Sequence, residues 1–380
     1  MPKPLLAVAL ILLATLSGCS LSPPRDSGTG LSGHLILIGG GLDDDNKPVY
    51  ERFIALASQG QSPPQILIAT AASGDEHSAA RGKTESIRAY CPTAEIDVIR
   101  RETPADQTIA LIDRASAMFF TGGDQKRITD RYRPGGIDTA EAVAMRRLLS
   151  RGGLIAGTSA GDAMMSDPMF LTGRSAEALG IRSTRTSKAD DDDPDDKAKQ
   201  PVFGPRIGPG MGFLPWAIAD SHFFERHRFG RLVAACEASG RRLGLGIAED
   251  AAVEIDLATG EATGLSAADS LLIDVAAMRR DGLARRGIYA LIISQGTRIS
   301  FTSGVLASSL PTQPACPATP PREISTSEPG SDRRSASWRF FTRAQAPGAA
   351  PQLLKLDGYD QCAWPTGGGW SNVDITPQPR

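Results

Sequence analysis

Between His34 and Gly157 short, continuous apolar runs alternate with stretches of helical spacing, and few folds accommodate that order. The runs are HLILIGG, PQILIATAA, EIDVIR, AMFFTGG and GLIAG, and among the stretches between them are YERFIALAS, DQTIALIDRA and TAEAVAMRRLLSRGG. A strand that is apolar throughout has both faces buried, and a helix between two such strands is the crossover that a parallel pair requires. The reading is an α/β fold with a mostly parallel sheet between two layers of helices, a three-layer αβα arrangement. Catalytic and binding groups in such sheets gather at the carboxyl ends of the strands, so the loops that follow these runs are where chemistry is sought.

After the run GLIAG comes GTSAGDAMM, Gly157 to Met165. A G-x-S-x-G match is weak by itself in a chain with 40 glycines. It gains meaning from a buried strand entering and a helix leaving, because that sharp turn exposes the serine hydroxyl at the sheet edge and aims a helix N-terminus at a developing oxyanion. Both flanks are present here. A serine nucleophile also needs a base, and the chain has four histidines. His34 reads as a strand-end residue, His77 lies in the loop SGDEHSA, and His227 falls on a charged helix where a solvated role is expected. His222, directly before Phe223 and Phe224, can be held by packing and still be reached, which makes it the base candidate.

Three segments, TGGDQKRIT (121–129), GTSAG (157–161) and DSHFFERHRFGRL (220–232), resemble in the same order three signatures of the cyanophycinases. Those are serine peptidases that cut a storage polymer of aspartate backbone carrying arginine on each side chain. The likeness spans roughly residues 33–302. It implies a doubly wound domain similar to class I glutamine amidotransferases, a Ser/His/Glu triad, no cofactor and a homodimer. Carried over by motif, Ser159 matches the nucleophile and His222 the base. Gln125, Asp220, Arg226, Arg228 and Arg231 match substrate-binding positions, the arginines offering planar forks for carboxylates. Glu177 in RSAEALG, eighteen residues after Ser159, fits the family spacing for the acid, with Glu249 and Asp250 in GIAED as the alternatives. The main-chain N–H groups of Ala160 and of the Gly122-Gly123 turn, Gly123 above all, are the expected oxyanion donors.

The implied activity is an exopeptidase that releases aspartyl-arginine dipeptides. Two alternatives stand beside it: a peptidase for other aspartyl or isoaspartyl peptides, and a non-catalytic lipoprotein that uses the cleft to bind a peptide. Two departures from the family pattern motivate them. Asp162 stands where a small apolar residue is usual, and Ser221 where glutamine is common beside the histidine.

The ends of the chain read differently. MPKPLLAVALILLATLSGC has the form of a signal peptide, and Leu16-Ser17-Gly18-Cys19 resembles a lipobox, implying an exported protein lipidated at Cys19 and anchored in the periplasm or outer membrane. Residues 20–32 read as a linker, 182–206 as an acidic loop insertion, and 303–380 as a Pro/Ser-rich extension with little core of its own, whose late apolar residues Leu353, Leu354 and Trp364 are expected to dock on the main domain. Export allows disulfides among Cys91, Cys236, Cys316 and Cys362, with Cys316–Cys362 the expected staple. No Cys/His spacing suits a metal. A net charge of −2 gives no reason for a nucleic-acid partner, and contact with a membrane is expected only through the lipid. Gly39-Gly40-Gly41 is not G-x-G-x-x-G and leads into the acidic LDDDN, so it is not read as a dinucleotide site.

Overall fold

The computed structural model describes residues 30–59, 62–181, 203–302, 305–306, 322–324, 336–346, 349, 351–356, 359–367 and 370–378. The leader with Cys19, most of the linker, most of the acidic insertion and Cys316 lie outside the described residues. The Cys316–Cys362 pairing therefore has no structural account. Cys91 and Cys236 are free thiols, the second buried.

The alternation read from the sequence becomes β1 (His34–Ile38), α1 (Lys47–Ala57), β2 (Gln65–Ala69), α2 (Glu76–Tyr90), β3 (Glu95–Ile99), α3 (Ala105–Arg114), β4 (Ala117–Phe120), α4 (Gln125–Tyr132), α5 (Ala140–Ser150) and β5 (Leu154–Thr158). These strands pair in the order β1-β5-β4-β2-β3, all parallel. Successive side chains of a strand point to opposite faces, and here each face is buried. Leu35, Leu37, Leu67, Met118, Phe120 and Ile155 pack with Ile112 of α3, Ile128 of α4 and Leu148 of α5. Ile36, Ile38, Ile66, Ile68 and Phe119 pack with Tyr50 and Phe53 of α1 and Ile87 of α2. Local signals set the helix starts: Asp75 accepts from Ser78 N–H to cap α2, and Thr139 accepts from Ala142 N–H to cap α5.

The chain continues through α6 (Ala160–Ala163), β6 (Met169–Thr172), α7 (Ser175–Ala178), β7 (Arg206–Gly208), β8 (Ala217–Asp220), α8 (Phe229–Ser239), β9 (Leu243–Ile247), β10 (Ala252–Asp256), β11 (Glu261–Gly264), β12 (Ser270–Asp274), β13 (Arg279–Asp281), β14 (Ala284–Ile293), β15 (Arg298–Thr302), β16 (Val305–Leu306), β17 (Arg322–Ile324), α9 (Ala336–Gln345), β18 (Gln352–Leu356), β19 (Tyr359–Gly367) and β20 (Trp370–Pro377). Strand β10 joins β1 antiparallel and extends the first sheet through β11, β15 and β16. A second sheet runs β17-β18-β19-β20-β14-β12-β9-β8, parallel only at its two ends. The fold is α/β, but the mostly parallel character belongs to the five strands before Ser159.

The C-terminal region is part of the core, more than the reading of 303–380 as an extension with little core of its own expected, and of its late apolar residues Leu354 and Trp364 are buried. Strand β20 pairs with β14, and Phe340, Phe341, Leu354, Trp364, Trp370, Val373 and Ile375 are buried. The Pro/Ser-rich run ahead of Trp338 masked this, because composition averages over a segment whereas strand pairing depends on alternation within a few residues.

Candidate active site

Ser159 follows directly on β5 with φ 55° and ψ −109°, a backbone conformation that non-glycine residues seldom adopt. Its N–H donates to the Ile38 carbonyl at 2.9 Å, and its own carbonyl accepts from Asp162 and Ala163 N–H to start α6. The flanking glycines are required by close approach: a Cβ at Gly157 would lie 2.1 Å from the Gly161 carbonyl oxygen. A G-x-S-x-G turn is thus what lets the strand and the short helix touch while the hydroxyl stands out.

The hydroxyl of Ser159 donates to His222 Nε2 at 2.8 Å, and His222 Nδ1–H donates to Glu249 Oε1 at 2.7 Å. Parallel pairing explains the second contact. Strands β8 and β9 lie side by side, and His222 stands two residues beyond the end of β8 as Glu249 does beyond β9. Their loops therefore emerge together at the carboxyl edge. The glycine loop after β1 ties this pair to the serine: Gly39 carbonyl accepts from His222 N–H at 2.7 Å, Gly40 carbonyl from Asp250 N–H at 2.8 Å, and a Cβ at Gly40 would meet the imidazole at 2.3 Å. The loop set aside as a nucleotide motif is the joint between serine and histidine.

Burial lowers the His222 pKa to about 4, the charges of Arg226 and Arg228 act in the same sense, and Glu249 opposes them. The imidazole is neutral across the neutral range and free to accept the serine proton. Glu225 lies behind Glu249 and accepts its N–H at 3.1 Å, and burial raises the Glu225 carboxyl to about 6. The Ala160 N–H, at the first position of α6, and the Gly123 N–H have no main-chain acceptor among the described residues.

The acid expected at Glu177 is corrected. Glu177 sits in α7, whereas the histidine's second nitrogen is taken by Glu249. Matching a motif spacing cannot register that β9 lies beside β8. Asp250, the other alternative, accepts from Asp43 N–H and Asn46 Nδ2 and so holds the turn before α1. Two inferred substrate residues are likewise withdrawn: Asp220 is fully buried, and Arg231 donates to both its oxygens at 2.8 and 2.5 Å, to the Gly173 carbonyl, and lies over the Phe170 ring. Gln125 donates its amide to the Phe170 and Leu171 carbonyls, holding β6 over α4. Arg228 reaches the Ser221 carbonyl at 2.7 Å. Arg226 stands beside the imidazole, half-buried.

Asp162 neither faces the cleft nor caps the helix. It is fully buried with neither oxygen hydrogen-bonded among the described residues, and desolvation with the nearby Asp220 charge raises its pKa well above the usual value. A cavity of about 310 Å³ opens beside Glu249, with Asp43, Glu225, Asp250 and Asp269 on its walls and Trp338 closing one side. Neither Trp338 nor the cavity was signalled by any local pattern.

Residues 35–261 match the sequence profile of peptidase family S51. The cyanophycinase of Trichormus variabilis is 33% identical over 153 residues, 40% of this chain and 43% of that protein. The cyanophycinase of Synechococcus elongatus is 29% identical over 161 residues, 41% of this chain and 42% of that protein. The match thus spans less than half the length of these relatives. A solved structure, a peptidase from an acI-B1 Actinobacterium, aligns with a TM-score of 0.48 at 16% identity over 72% of this chain and 98% of that chain.

Proposed function

The chain belongs to peptidase family S51, and from that premise we propose that it is a serine-type exopeptidase that releases aspartyl-arginine dipeptides from cyanophycin or a similar aspartyl peptide. The observation that carries the reading is the unbroken hydrogen-bonded line from Ser159 Oγ through both ring nitrogens of His222 to Glu249. In this reading Ser159 attacks the scissile carbonyl as His222 Nε2 takes its proton. Glu249 fixes the imidazole tautomer and stabilises the imidazolium. The Ala160 and Gly123 N–H groups receive the oxyanion, a kind of donor whose loss lowers the rate by about 10²–10³. The imidazolium returns its proton to the leaving amine, and water repeats the sequence on the acyl-enzyme. A doubly wound arrangement of the class I glutamine amidotransferase kind belongs to the same proposal.

Two features of the site support an aspartyl-arginine substrate. Arg226 offers a guanidinium for a carboxylate next to the base. The cavity beside Glu249 joins carboxylates to an indole face, a lining that suits a guanidinium. One observation favours the second reading, a different aspartyl or isoaspartyl peptide: Asp220, Arg231 and Gln125, which the family likeness assigns to substrate, are occupied within the protein. The non-catalytic reading loses its motive, since burial favours the uncharged form of Asp162 and so brings no negative charge toward the oxyanion. The leader motif alone supports export and a lipid anchor at Cys19.

The test is dipeptide release from purified cyanophycin by the soluble chain from Ser32 to Arg380, beside Ser159→Ala. Release by the wild type and a loss of about 10³-fold or more in the variant is expected. Equal release by both would end the serine mechanism. No release from a wild type that a serine-directed phosphonate labels at Ser159 would move the substrate to another aspartyl peptide.

A further inference from the structure

The turn that carries His222 is under conformational load. His222 and His227 both have positive φ, 47° and 50°, within a segment of six residues. Such conformations in non-glycine residues persist where the surroundings over-determine them. One side of the segment is held by the parallel sheet edge, where Phe223 N–H donates to Ile247 and His222 N–H to Gly39. The segment is also held by α9, which lies beyond the residues matched by the family profile. Ser337 Oγ meets His227 Nδ1 at 2.6 Å. The Phe341 ring packs against Phe224 and Phe229, at 6.0 and 5.0 Å between centroids. Trp338 donates from Nε1 to Asp269 at 2.7 Å, which fixes its indole as the wall of the cavity beside Glu249.

We propose that α9 is part of the catalytic apparatus, with Ser337 and Phe341 as positioning residues that clamp the 222–229 turn and so hold His222 in line between Ser159 and Glu249. The inference rests on the serine-peptidase reading for its kinetic consequences, but its geometric content does not. A clamp of this kind acts on the reaction coordinate. Loosening it displaces the imidazole from both partners, lowering turnover while leaving ground-state substrate contacts in place.

Ser337→Ala, which removes one hydroxyl, and Phe341→Leu, which keeps a buried apolar group, are compared with the wild-type chain for the phosphonate acylation rate of Ser159, for kcat and KM on a releasing substrate, and for the imidazole N–H proton of His222 by NMR. The expected result is acylation and kcat about tenfold lower with KM unchanged, a broadened or shifted His222 proton, and recovery in Ser337→Thr. Rates within twofold of wild type with an unmoved proton resonance would overturn the clamp. If the wild-type chain is not labelled at all, the serine reading falls, and the resonance alone decides: a shift in both variants sustains the positioning role, and no shift removes it.

Discussion

At the scale of single residues, the environment of each carboxylate decides its use. Glu249 is 40% exposed and touches the imidazole, Asp162 is wholly buried with no hydrogen-bond partner among the described residues, and Glu177 sits on a separate short helix. Glu249→Gln is expected to lower kcat by about 10³–10⁴, by removing the group that fixes the tautomer, whereas Glu177→Gln stays within a few-fold; steady-state kinetics on a releasing substrate separates them. Asp162 gives a stability prediction whose sign follows from its raised pKa. The folded state favours the protonated form, so the group's penalty is absent below its unfolded pKa of about 3.9 and grows as pH rises toward the folded value. Asp162→Ala should therefore stabilise the protein by at least about 1 kcal/mol at pH 7 and by less at pH 4, read from denaturant midpoints at the two pH values. The serine and the histidine were legible at this scale because each stands in a short pattern with its own local mechanism. The acid was not, since any of three carboxylates satisfied the local pattern.

At the scale of elements, the arginines of the DSHFFERHRFGRL segment divide between those bonded within the fold and one whose charge acts on the imidazole. Arg231 closes a buried pair with Asp220 and so joins the first turn of α8 to the end of β8 and, through Gly173, to the strand before α7. Asp220→Asn leaves that guanidinium buried without its counter-charge, and a loss of about 3–5 kcal/mol is expected, measured by chemical denaturation. Arg226→Ala, lacking any such bond, should leave stability within about 0.5 kcal/mol. The family likeness grouped the three arginines as substrate-binding. A motif match does not say which faces of the turn the sheet covers.

At the scale of the whole molecule, the C-terminal strands complete the second sheet. Phe340, Phe341, Leu354, Trp370, Val373 and Ile375 are buried by α9 and β18–β20. At about 1.5–3 kcal/mol for each such side chain, their removal is on the scale of a domain's entire net stability. A chain ending at residue 302 is expected to lose its near-ultraviolet circular dichroism and to bind a hydrophobic dye, and a truncated protein with native spectra would contradict the continuity of the sheet. The first half of the molecule was readable in advance because its evidence is periodic: apolar runs, crossover helices and capping residues are properties of neighbours in the chain. By itself the sequence determined the parallel sheet before Ser159, the tight turn at that serine and the identity of the histidine that meets it. Only the tertiary structure decided that Glu249 stands behind that histidine, that the Gly39–Gly41 loop joins Ser159 to His222, and that α9 packs against the turn bearing His222. Those are meetings between segments far apart in the chain, 27 residues for His222 with Glu249 and 110 for His227 with Ser337, and they depend on which strands pair and which faces remain to be covered, information that no local pattern of side chains contains.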